Sequence, residues 1–141
     1  MTASEALALA RRGIEQFNAA DWDGLRGTCE EGIVYRESGT GRTLEGIDDC
    51  IAAWAAWRVA MPDIAGEVGR GLADGPTVAV EVVWRGTHDG PLETPDGPIP
   101  ATGRPVEIVA TQWQQHSGGR IATIDHHLDL LALLGQIGAL P

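Results

Sequence analysis

The sequence predicts an α+β fold, with helices first and long antiparallel strands after them. Three observations carry this expectation. Leu7, Ala10, Ile14 and Phe17 recur at three- and four-residue steps and make one helical stripe near the start. Apolar alternation marks a long strand over 78–84 and a second over about 106–115. Gly118-Gly119 then turns the chain into a returning strand over 121–128. Helices segregated from antiparallel strands cover one sheet face, which separates this pattern from a parallel doubly wound sheet.

The elements follow in order. Thr2 or Ser4 caps the first helix, which breaks over 18–21. Asp21 or Asp23 caps a short second helix carrying Trp22, Leu25 and Cys29. A short strand over 33–37 precedes turn chemistry over 38–42. A third helix starts near Gly46-Ile47, and Met61-Pro62-Asp63 stops it because the Pro ring cannot continue the helical ladder. A strand over 64–72 and an Asp74-Gly75 turn lead into the strand at 78–84. A Gly/Pro-rich segment over 86–105 reads as one long loop, a lid or rim. A leucine-rich tail over 130–140 forms a short terminal helix.

A length of 141 residues suits one domain, 1–141, and one core. The formal net charge of -10 argues against nucleic acid and against an anionic membrane surface as partners. Cys29 and Cys50 fit neither a C-x-x-C pair nor a zinc spacing. No basic segment followed by an apolar run opens the chain, and no apolar stretch approaches the ~20 residues that span a bilayer. A reduced, cytoplasmic protein is the expectation. His126 and His127 are consecutive on a strand and cannot converge on one ion, so no metal is expected. No Gly-rich loop follows a strand and opens a helix as at a nucleotide site, so no other cofactor is expected.

Several short stretches together resemble one family. They are Gly86-Thr87-His88-Asp89-Gly90-Pro91-Leu92, then Pro100-Ala101-Thr102-Gly103-Arg104-Pro105-Val106, then Gly119-Arg120-Ile121, Asp129 and Leu133-Leu134-Gly135-Gln136-Ile137-Gly138. With Met61-Pro62-Asp63 after the third helix, their order and spacing resemble the SnoaL-like polyketide cyclase and ester cyclase family over almost the whole chain. The resemblance implies a cone-shaped fold like that of nuclear transport factor 2. In it a strongly curved, mixed, mostly antiparallel sheet holds the N-terminal helices in its concave face around a pocket. It also implies a homodimer through the outer sheet face and a cofactor-free intramolecular aldol ring closure. An aspartate on the last strand serves as acid and base in that reaction. Its position falls on His126 here, and a helix position where some members carry Asn falls on Ala53. Asp125 is adjacent but belongs to the opposite face, unless a bulge reverses it.

By period, the last hairpin offers two faces. Glu107, Val109, Thr111, Trp113, Ala122, Ile124, His126 and Leu128 form the more apolar one, and the family register places it inside. That face is the expected pocket wall. The face with Gln112, Gln114, Ile121 and Asp125 is expected to meet solvent or a partner.

His126 and Glu37 are the candidate catalytic residues. A histidine releases or takes a proton near neutrality, and Glu37 on the first strand orients or polarises it. Tyr35, on the same face as Glu37, would bond a substrate oxygen. Trp54, Trp84, His88, Val109, Thr111, Trp113, Ile124 and Leu128 complete the expected substrate-binding set, the flat indoles suiting a planar ligand. The competing structural roles are a hydrogen-bonded core histidine at 126, a solvated carboxylate at 37 beside Arg36 or Arg42, a loop cap at His88, and plain core filling by the tryptophans. The expected function is acid–base catalysis, without cofactor, on a polyketide-like or aromatic substrate. The alternatives are an epoxide-opening enzyme on the same fold and a non-catalytic ligand-binding or dimerisation domain.

Overall fold

Thr2 sets the start of the first helix. Its hydroxyl accepts from Glu5 N while its own N–H donates to the Glu5 carboxylate, a closed capping box. In the computed structural model, which describes Met1–Pro141, α1 then runs over Ala3–Asn18 and buries Ala6, Leu9, Ala10, Ile14 and Phe17. Asp21 caps α2 (Trp22–Thr28) through Gly24 N. The chain continues as β1 (Cys29–Glu37), β2 (Arg42–Glu45), α3 (Ile47–Ala60), β3 (Ala65–Asp74), β4 (Thr77–Thr87), β5 (Pro105–Ser117), β6 (Arg120–Leu128) and α4 (Leu130–Gln136).

The strands form one sheet in the order β2-β1-β6-β5-β4-β3. All neighbours are antiparallel except β1 and β6, which run parallel. The curved, mostly antiparallel sheet with helices on one face is the predicted architecture. Side-chain amides clasp helices to it at two places. Asn18, at the end of α1, bonds both N and O of Gly66 on edge strand β3, taking the place of a further strand. Gln136 on α4 does the same to N and O of Glu107 on β5. No helix is long and apolar enough to cross a membrane.

Two boundaries differ from expectation. Strand β1 begins at Cys29 rather than near 33, so Cys29 belongs to the sheet and not to α2. The stretch between the turn expected over 38–42 and α3, which was given no element, forms β2, whose Arg42 pairs with Glu37.

A third difference decides the site. At the hairpin end, Ser117 pairs with Arg120 and His116 with Ile121, but Gln115 pairs with Thr123. Ala122 is the extra residue of a β-bulge. Beyond it Gln114 lies opposite Ile124 and Gln112 opposite His126. Directly opposite residues share a sheet face, so the bulge exchanges the two faces of β5. Gln112 and Gln114 turn inward with Ile124 and His126. Val109, Thr111 and Trp113 turn outward, where Val109 is 58% and Trp113 49% exposed. The expectation that these three line the pocket is corrected: strict alternation through an unbulged hairpin gave the wrong parity.

Candidate active site

The inner sheet face and residues from all four helices line a cavity of about 80 Å³. Of its 21 lining residues 16 are hydrophobic, so an occupant is held mainly by apolar contact. Ile14 and Phe17 come from α1, Trp54 and Trp57 from α3, Trp84 from β4, Ile124 and Leu128 from β6, and Leu133 from α4. The volume is well below the roughly 300–1,000 Å³ of drug-sized sites, so a larger ligand needs a wall to move.

One polar chain crosses this apolar wall. Parallel pairing sets Tyr35 beside Ile124 and Glu37 beside His126. The Tyr35 hydroxyl donates to Glu37 Oε2 at 2.6 Å and lies 2.8 Å from His126 Nδ1. The Trp84 indole N–H donates to His126 Nε2 at 3.2 Å. An indole can only donate, so Nε2 is the acceptor and a neutral ring carries its proton on Nδ1. That proton points to the Tyr35 oxygen, whose own proton is given to Glu37. Donors therefore run from Trp84 to His126 to Tyr35 to Glu37 without conflict.

The protonation states agree with this direction. Burial pushes His126 down to about 4, only partly opposed by the Glu37 charge, so the ring is neutral near pH 7. Burial alone would raise the Glu37 carboxyl. The Tyr35 hydroxyl, the Arg42 guanidinium and the Thr40 hydroxyl outweigh it and hold Glu37 below the usual carboxylate range. Tyr35 is raised well above its usual value, first by burial and then by the Glu37 charge, and stays a hydroxyl.

The expected site residues divide into three groups. Tyr35, Trp54, Trp84, Ile124, Leu128 and His126 all line the cavity. Glu37 is buried and reaches the cavity only through Tyr35; it is neither solvated nor in a position to touch an occupant. His88 and the outward-facing Val109, Thr111 and Trp113 do not line it. His88 is a buried pin at the root of the long loop: its N–H donates to Arg104 O, its carbonyl accepts from Thr102 N and Gly103 N, and its Nδ1 lies 3.0 Å from Thr102 Oγ1. No residue of 86–105 lines the cavity, so the loop is not its rim. Asp125 pairs with Arg36 on the outer face, where alternation puts it.

The family model described as SnoaL-like polyketide cyclase matches residues 8–137. The chain belongs to the SnoaL-like polyketide cyclase family. No curated protein matches it. Among solved structures, a candidate SnoaL-like polyketide cyclase from Jannaschia sp. CCS1 superposes with a TM-score of 0.86 at 22% identity, over 99% of this chain and 95% of the other. IdmH, a candidate polyketide cyclase from Streptomyces antibioticus, does so with 0.81 at 26% identity, over 94% and 98%. A candidate ketosteroid isomerase from Kribbella flavida DSM 17836 shares the fold, with 0.69 at 20% identity over 90% and 79%.

Within this SnoaL-like cavity, sequence reasoning missed Gln112 and Gln114. The sequence did contain a signal for them. Ile121 and Ile124 are both buried although three apart, which a regular strand cannot arrange. Two branched apolar residues at that spacing, just after a Gly-Gly turn, mark a bulge. Arg42 was named beside Glu37 only as a neighbour of a solvated carboxylate; strand β2, which carries it, was missed because it is short and half-exposed and carries no apolar alternation.

Proposed function

We propose that this SnoaL-like chain is a cofactor-free, cyclase-type enzyme of small-molecule metabolism that moves a proton next to a carbonyl, with His126 as the base. The observation that carries the reading is the single-direction chain Trp84–His126–Tyr35–Glu37 on a mostly apolar wall. The Nε2 lone pair takes a proton from the carbon beside the carbonyl. The C–H pair becomes the enolate double bond and the carbonyl π pair moves to oxygen. As the ring gains charge, its Nδ1–H bond to Tyr35, backed by the Glu37 carboxylate, stabilises the imidazolium. Trp84 aims the ring in the empty site and yields Nε2 to the substrate. The enolate then takes a proton back or attacks a second carbonyl of the same molecule, which closes a ring.

An epoxide-opening reaction of the kind that needs two carboxylates around an arginine finds little support, because no Asp or Glu lines the cavity. The exposed Val109 and Trp113 on the outer sheet face support a homodimer through that face.

The test is hydrogen–deuterium exchange at the methyl of acetophenone in D2O, followed by proton NMR. Wild type is expected to exceed buffer, His126→Ala to fall to the buffer rate, and Tyr35→Phe to lose about 100-fold. Exchange undiminished in His126→Ala would sink the His126 mechanism.

A further inference from the structure

Beside the base, the cavity wall carries a second buried polar chain. Gln112, Gln114 and His116 alternate along β5 and are 5%, 2% and 7% exposed. His116 Nε2 lies 2.7 Å from Gln114 Oε1, and Gln114 Nε2 donates to Gln112 Oε1 at 3.0 Å. An amide oxygen only accepts, so the first bond needs the His116 proton on Nε2. Reversing the ladder would swap both amides and move that proton to Nδ1. His116 Nδ1 is sealed in the interior with no partner. A bare lone pair is tolerated in such a place better than an orphaned N–H, so the buried histidine fixes the polarity. Donation runs from His116 to Gln114 to Gln112.

This direction uses up Gln112 Oε1 and leaves the Gln112 N–H group without a protein acceptor. Gln112 Nε2 is not among the sealed, partnerless atoms, and Gln112 lines the cavity directly across from His126. The amide therefore offers the apolar chamber a free donor, next to the proposed base.

We infer that the His116–Gln114–Gln112 ladder makes Gln112 an oxygen-selecting donor, so that the site takes a ketone-type ligand with its carbonyl oxygen on the Gln112 amide and the adjacent C–H toward His126. As a statement about substrate, this rests on the reading of the cavity as a reaction site. The selection of an acceptor oxygen does not depend on whether His126 acts as base. His116 is then a positioning residue, touching no ligand and acting through Gln114.

Two measurements on the whole chain test the ladder. Long-range proton–nitrogen NMR of 15N-histidine protein reads the tautomers directly: His116 is expected as Nε2–H and His126 as Nδ1–H. Titration with acetophenone and with ethylbenzene, which lacks the oxygen, is expected to give about a tenfold tighter Kd for the ketone. Gln112→Leu should erase that ratio while both compounds still bind. His116→Phe should shrink it, and His116→Gln, whose amide can donate to Gln114, should restore it. An Nδ1–H tautomer at His116, equal affinities in wild type, or no binding of either compound would overturn the inference. If His126→Ala keeps the ketone preference and no variant alters exchange at the methyl, the base assignment fails and the ladder stands.

Discussion

At the scale of single residues, the site depends on where protons are kept. His126 is held neutral by burial, with its folded value near 4 against an ordinary value of 6.5. Above 6.5 the folded and unfolded chains bind the same number of protons at this residue. As pH falls below that value the unfolded chain takes up a proton that the folded chain refuses, so stability drops through the window from 6.5 to about 4. The full effect is roughly 3 kcal/mol. His116, lowered by burial, adds to the loss with the same sign. Glu37, held below its ordinary 4.5, contributes stability that disappears only further down. Urea unfolding of wild type and His126→Gln between pH 7 and 4.5 checks this: the variant is expected to show the shallower fall with acid. Equal slopes would place the ring in a wetter setting than the Trp84 and Tyr35 contacts describe. The same residue shows what sequence can reveal. Family spacing pointed to position 126 and period two placed it inside, and His126 does line the cavity. Its partners were only half legible: Tyr35 and Glu37 were named on one face of the first strand, but the Trp84 contact comes from across two strands.

At the scale of elements, one inserted residue outweighs many propensities. All the strands that build the cavity were visible from alternation, turns and breakers. The orientation of β5 was misread, because the only trace of the extra Ala122 is the three-residue spacing of Ile121 and Ile124. Hydrophobicity also argued for the wrong side, since Val109 and Trp113 are more apolar than the Gln112 and Gln114 that replace them inside. The inner amides are joined to each other and to His116 by hydrogen bonds, while the outer apolar residues remain exposed. The helix clasps have a consequence of their own. Strand β6 stops pairing at Leu128 opposite Ala110, and the Gln136 amide occupies the neighbouring backbone groups of Glu107. Gln136→Ala is expected to cost about 1–2 kcal/mol. It should also raise amide exchange across α4, which carries the cavity-lining Leu133. Unchanged exchange in α4 would mean that Leu133 and Ile137 alone hold the helix down.

At the scale of the whole molecule, net charge and the outer face oppose each other. Two copies of a chain with charge -10 repel, while Val109 and Trp113 present apolar surface on the sheet side away from the helices. The proposed homodimer is therefore expected to tighten with salt, as screening weakens the repulsion. Sedimentation at low and moderate ionic strength should show this, and Trp113→Glu should give a monomer at both. A monomeric wild type at all salt concentrations would remove the dimer. The architecture was legible from the order of its motifs, β2 excepted, because it tolerates errors in the facing of one strand. A reaction site does not.

The pin at His88 has a consequence for the malleability of the chain. Its backbone and ring bonds to Thr102, Gly103 and Arg104 close the loop at its root, and nothing beyond that root reaches the cavity. Above it Gly90 N–H bonds Ala60 O at the end of α3, and Leu92 and Ile99 pair with each other and pack on the core, so only the turn over 93–98 is an interchangeable module on a fixed socket. A longer, shorter or foreign segment is expected to be accepted at that turn, a reporter peptide or an affinity tag for example, because none of its residues lines the chamber.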